Sequence, residues 1–110
     1  MYTIMTVLRK RPDISTEAFR RFMEFQYGPA YVAMPQTKAY VHYYLSDAAA
    51  DAAESPIDAI VSISFDSHDA MDCALQSDGY RSAQMTRNAF LLDTSIGVHP
   101  AVVDKVVKLV

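Results

Sequence analysis

The spacing of apolar residues changes along this chain in one order, and that order restricts the folds open to it. Residues 2–9 (YTIMTVLR) alternate, with Tyr2, Ile4, Thr6 and Leu8 on one face and Thr3, Met5 and Val7 on the other, as a strand requires. Both faces are fairly apolar. Pro12 ends the run, and Ser15 follows as a helix N-cap with Glu17 in the first turn and Ile14 and Phe19 placed as a hydrophobic staple. Phe19, Phe22, Met23, Gln26, Tyr27 and Ala30 then recur at helical spacing, while Arg20, Arg21 and Glu24 fall outside the stripe.

Alternation returns at residues 37–45 (TKAYVHYYL), where Tyr40, His42 and Tyr44 share a polar aromatic face opposite Ala39, Val41, Tyr43 and Leu45. Residues 46–56 have alanines but no apolar period and read as an exposed loop or short frayed helix. Residues 57–65 (IDAIVSISF) alternate again. Ser67 caps a second helical segment whose stripe is Ala70, Met71, Ala74 and Leu75; residues 76–79 interrupt it, and helical spacing resumes over residues 80–92. After Pro100, residues 101–110 read as a last strand, apolar on both faces.

The predicted order is β-α-β-β-α-β, the split βαβ or ferredoxin-like arrangement: an α+β fold with a four-stranded antiparallel sheet and helices on one face. At 110 residues with 51% hydrophobic content, residues 1–110 are expected to form one domain. Helices can cover only one face of such a sheet, so apolar residues on both faces of the first, third and last strands predict a homodimer packed through the sheet faces.

Several function classes are disfavoured. A net charge of −3 gives no basic footprint for nucleic acid. No window is apolar enough to span a membrane. Met1 is followed at once by a strand pattern with no leader before it, and Cys73 is the lone cysteine, so a cytoplasmic location is expected. His42, His68 and His99 are too widely spaced for a usual metal site, and three glycines make no phosphate loop, so neither a metal nor another cofactor is implied.

The stretch over residues 7–35, VLRKRPDISTEAFRRFMEFQYGPAYVAMP, resembles the EthD family of the dimeric α+β barrel superfamily. The matching parts are the basic stop at residues 8–11, Pro12, the capped helix with Ser15, Glu17 and Phe19, and Tyr27-Gly28-Pro29, where family members commonly carry His-Gly-Pro. The resemblance implies a homodimer with a pocket between the helices and the concave face of the sheet. It also implies small oxygenated ligands, often aromatic or lactones, because similar proteins include polyketide cyclases, a methylmuconolactone isomerase and a protein encoded with an ether-degrading monooxygenase.

Two readings of activity stay open. One is cofactor-free isomerisation or cyclisation, with Tyr27 donating a hydrogen bond to a substrate oxygen and His42 as base, and with Tyr40, Tyr44, Met23 and Phe22 binding the substrate. The other is a non-catalytic binding or accessory protein of a catabolic or monooxygenase pathway. Tyr in place of His matters here, since a phenol donates well but is a poor base at neutral pH. Each residue also has a plainer role: Tyr27 packing under a helix end, Gly28 as a left-handed helix terminus with Pro29 starting a new turn, and His42 as an ordinary strand residue. The same holds for Met5, Met23, Met34 and Met71 as core, Cys73 as buried packing, His68 and Asp69 as helix-start residues, His99 as solvated, and the Arg9-Lys10-Arg11 cluster as surface charge.

Overall fold

The structure, a computed structural model, describes residues 1–48, 56–93 and 97–110. Most of the segment expected as a loop or frayed helix, residues 49–55, lies outside the described residues. The elements run β1 (Tyr2–Leu8), α1 (Thr16–Phe22), a π-helical turn (Met23–Tyr27), α2 (Gly28–Val32), β2 (Ala39–Tyr44), β3 (Ala59–Phe65), α3 (His68–Leu75), α4 (Asp78–Arg87) and β4 (Val98–Val102). The strands form one sheet in the order β2-β3-β1-β4, every neighbouring pair antiparallel. This is the ferredoxin-like arrangement.

Register decides which side chains meet the helices. Tyr2, Ile4, Thr6 and Leu8 of β1 stand opposite Phe65, Ile63, Val61 and Ala59 of β3, and Ile63, Val61 and Ala59 stand opposite Tyr40, His42 and Tyr44 of β2. All belong to or pack around the core with Phe19, Phe22, Met23, Tyr27 and Tyr31, apart from Thr6 and His42, which share the same face. Fully burying a side chain such as Phe19, Phe65 or Leu8 contributes roughly 1.5–3 kcal/mol each. The polar aromatic face of β2 is therefore its inner face, while Val41 and Tyr43 stay about half exposed outside.

The caps form as the sequence predicts. Ser15 accepts from the Ala18 amide at 3.0 Å and Ser67 from the Ala70 amide at 3.1 Å. Between α3 and α4, Ser77 caps the new helix through the Tyr80 amide, so that helix begins at Asp78, with Gly79 inside its first turn. It ends at Arg87, earlier than the helical spacing suggests, and Leu91 instead bridges to Lys10 beside β1.

Two further expectations need correction. The last strand is Val98–Val102 and contains Pro100, which an edge strand tolerates because it needs hydrogen-bond donors on one side only. The register that pairs Ile4 with Val102 exhausts β1 within two more residues, so the chain beyond Val103 leaves the sheet with Val106, Val107 and Leu109 exposed.

The second concerns Gly28. It is not a left-handed terminus but sits in right-handed helical conformation, φ −59° and ψ −50°, and the helix runs through Tyr27-Gly28-Pro29. The Gly28 amide bonds to the Met23 carbonyl, five residues back, so the wide π turn carries one residue more than an α turn. That extra residue moves every later position of the buried stripe on by one. Gln26 and Ala30 were expected inside; Gln26 is exposed, Ala30 is only partly covered, and Tyr27, Gly28 and Tyr31 take the buried places.

Glycine at 28 is required by crowding. A Cβ there would lie 2.9 Å from the Met23 carbonyl oxygen and 3.1 Å from His42 Cε1. At Gly79, also helical, the nearest atom to such a Cβ is the Ser77 hydroxyl at 4.0 Å. Gly79→Ala is expected to gain up to about 1 kcal/mol from helix propensity, whereas Gly28→Ala is expected to lose about 1–3 kcal/mol through overpacking. Urea unfolding of both variants checks the pair, and a gain at position 28 would contradict the close-packing account.

Candidate functional site

A cavity of about 300 Å³ opens between the helices and the inner face of the sheet. Its floor is the central part of the sheet, including Ile4, Thr6, Val61 and Ile63, and Met71 and Leu75 enter from α3. Five tyrosines line it: Tyr2, Tyr27, Tyr31, Tyr40 and Tyr80. None of the described residues lining the cavity carries a charged side chain.

The Tyr2 ring meets His68, while Tyr27, Tyr31, Tyr40 and Tyr80 form a connected aromatic group. Tyr31 is its centre, with ring centroids 5.0 Å from Tyr27, 5.7 Å from Tyr40 in a stacked pose and 5.8 Å from Tyr80 edge-on. Such pairs each contribute about 0.5–1.5 kcal/mol beyond the area they bury. The Tyr27 and Tyr31 hydroxyls each influence the other's ionisation. Burial pushes the Tyr27 hydroxyl up to about 12 while Tyr31 works in the opposite direction, and burial first, then the neighbouring phenols, push those of Tyr31 and Tyr40 higher still. At neutral pH all three are donors and none is a base.

His42 does not line the cavity. Its Nε2 is 2.7 Å from the Tyr40 hydroxyl, and its ring lies against Gly28, so it meets the cavity through Tyr40. Burial holds His42 below the ordinary histidine value, while the Glu24 carboxylate works in the opposite direction. Tyr44 also lies outside the cavity: its hydroxyl donates to Glu24 at 3.0 Å, and the Arg20 guanidinium sits 4.8 Å from its ring centroid. The Tyr44 hydroxyl is itself pushed up to about 12, chiefly by burial and then by Glu24.

The structure thus places Tyr27 and Tyr40 in the cavity wall, His42 one hydrogen bond behind, and Tyr44 one ring further out. Met23 and Phe22 do not line this cavity. Both are fully packed, Phe22 against Phe90 with centroids 4.4 Å apart. Tyr31 and Tyr80, not anticipated from the sequence, complete the wall. Tyr31 stands four residues after Tyr27 and Tyr80 three after the Ser77 cap, ordinary helical spacings that the sequence offers but that do not by themselves distinguish a cavity wall from any other helix position.

Elsewhere, Arg11 of the basic cluster forks onto Asp13 at 2.8 and 3.0 Å, and Cys73 is exposed rather than buried. Among the described residues, His68, Asp69 and Asp72 could bring three metal-ligand atoms within 4.8 Å of one another, but all are solvent-exposed on α3, and His68 pairs with Asp72 at 3.3 Å across one helical turn.

The His42 environment sets a pH dependence. Between its depressed folded value and the usual 6.5, the unfolded chain takes up a proton that the folded chain does not. Stability is therefore expected to fall as pH drops below about 6.5, and His42→Gln should remove that part of the slope. Paired urea titrations of the two proteins across this range check it; identical slopes would contradict it.

The EthD domain family matches residues 11–95. No curated protein matches the sequence. Among solved structures, an ethyl tert-butyl ether (EthD) family protein from Bacillus halodurans is similar at 13% identity and TM-score 0.72, over 96% of this chain and 100% of that one. A protein from Arabidopsis thaliana is similar at 11% identity and TM-score 0.76 over 100% of both chains. A dimeric ferredoxin-like protein of unknown function from Thermobifida fusca is similar at 15% identity and TM-score 0.70, over 93% of this chain and 88% of that one.

Proposed function

The chain belongs to the EthD family, and from that premise we propose that its tyrosine-lined cavity binds a small, neutral, oxygenated aromatic or lactone compound. The observation that carries this reading is the lining itself: about 300 Å³ walled by five phenol rings and aliphatic side chains, with no charged side chain among the described residues. That volume lies at the small end of ligand pockets and suits a compound of one or two rings. A permanent ion would lose its hydration there without a counter-charge, which disfavours it by several kcal/mol. A carbonyl, ether or hydroxyl oxygen would instead accept from Tyr27, with the ring of the ligand against the tyrosine faces.

In its catalytic form the proposal is cofactor-free acid-base chemistry on such a compound, an isomerisation or cyclisation. Tyr27 would donate to the oxygen where negative charge develops, and His42, neutral at pH 7, would receive the proton. A second reading, a binding or accessory protein without catalysis, is favoured by one specific observation. Tyr27, at about 12, stands where family members commonly carry His and cannot act as a base at neutral pH.

A homodimer through the outer sheet faces is part of the same proposal. The outer face carries Met5, Val41 and Tyr43, each 42–50% exposed, with Val7 and Ile60 beside them, and the similar Thermobifida fusca protein is dimeric. Sedimentation at micromolar concentration should show twice the 12.3 kDa chain mass, and a 12.3 kDa species would rule the dimer out. For the cavity, a thermal-shift screen of neutral aromatic alcohols, ketones and lactones against matched carboxylates is expected to stabilise the protein only with the neutral set. Tyr27→Phe should then weaken the best hit about tenfold, the value of one hydrogen bond. Stabilisation by carboxylates alone would overturn the reading.

A further inference from the structure

We propose that Tyr40 is the residue that meets the ligand for proton transfer, its hydroxyl carrying a proton between the cavity and His42 Nε2, so that His42 acts as a base without touching the ligand. This rests on the reading that the cavity takes a compound bearing a hydroxyl or an acidic C–H. Three observations place the relay. Tyr40 lines the cavity and His42 does not. The Tyr40 hydroxyl and Nε2 are 2.7 Å apart, short enough for direct transfer. The Cε1–Nε2 edge of the imidazole also lies against Gly28, where no side chain fits.

The step balances without an oxidant or cofactor. The ligand O–H or C–H bond breaks and its proton goes to the Tyr40 oxygen, while the proton already on that oxygen moves to Nε2. The products are a ligand oxyanion or enolate, a neutral Tyr40 phenol and a His42 imidazolium. Tyr40 is never ionised, which suits a phenol whose burial opposes charge.

The groups around His42 favour this direction. Glu24 of the π turn is the carboxylate that stabilises an imidazolium there, and the Tyr44 hydroxyl holds that carboxylate at 3.0 Å. On the strand itself the neighbours are the rings of Tyr40 and Tyr44, with centroids 4.9 and 5.8 Å away, and Val61 stands opposite on β3. No second cation is needed, because the ligand anion and the imidazolium form across Tyr40 as a pair.

The relay requires that Nε2 of neutral His42 accept from Tyr40, leaving the ring proton on Nδ1. Long-range proton–nitrogen correlation spectra of histidine-labelled protein at pH 7 to 8, assigned with His42→Gln, are expected to show the Nδ1–H form in wild type. Tyr40→Phe, which keeps the ring stacked on Tyr31, should shift the population toward Nε2–H. An Nε2–H form in wild type, or the same tautomer in both proteins, would overturn the relay. In the second arm, 4-nitrophenol is titrated into both proteins and its ionised form read by visible absorbance. The bound ionised fraction near neutral pH should fall about tenfold in Tyr40→Phe, equivalent to one pKa unit. Equal ionisation in the two proteins sinks the relay, whereas failure of 4-nitrophenol to bind wild type counts against the cavity reading and leaves the tautomer result to judge the relay.

Discussion

The hydrogen bond from the Gly28 amide back to the Met23 carbonyl governs the architecture of the candidate site. Pro29 would otherwise interrupt an α-helix, because it lacks an N–H and its ring crowds the carbonyl four residues earlier. The wide turn absorbs it and the helix continues. The price is one extra residue, which moves Gln26 and Ala30 off the buried stripe and leaves Tyr27, Gly28 and Tyr31 on the inner face. It also brings the Cβ-less Gly28 against His42, so the helix and β2 approach more closely than any side chain at 28 would allow.

From that approach the chemistry of the cavity follows. Once Tyr31 is inside, Tyr27, Tyr40 and Tyr80 pack around it, and the Tyr40 hydroxyl pairs with His42. Burial then keeps Tyr27, Tyr31 and Tyr40 protonated and His42 unprotonated. A cavity of donors with one recessed imidazole results. Under the proposed reading, such a wall would distinguish ligands by where they can accept a hydrogen bond and would reach a proton acceptor only through Tyr40.

Much of the fold was legible because strand alternation and the Ser15 and Ser67 caps are local signals that tertiary packing did not overrule. The polar aromatic face of β2 was visible as Tyr40, His42 and Tyr44, but register was needed to turn it inward. Tyr31 is not legible as a wall residue because the π turn shifts phase by one residue, and no alternation or heptad count reveals that shift. The one hint was Pro29 inside an otherwise uninterrupted stripe. The end of β4 was equally hidden: residues 104–110 have strand-forming valines, yet β1 has no more backbone to pair with them. Phe22 and Met23 illustrate a different limit, since helical spacing marks a residue as buried without saying whether it faces a cavity or a filled core.

Membership of the EthD family fixes the scaffold, and the solved structures, all at low identity, speak to the fold alone. The claim particular to this chain is that the tyrosine wall is where a ligand sits, and its methionines report on that directly. Met71 lines the cavity, whereas Met5 lies on the outer face of the sheet and Met85 is exposed on α4. In a methyl-labelled protein titrated with a neutral aromatic ligand from the thermal-shift screen, the Met71 methyl resonance should move, with Met5 and Met85 unchanged. Movement of Met5 or Met85 with Met71 stationary would place the ligand elsewhere and contradict the account.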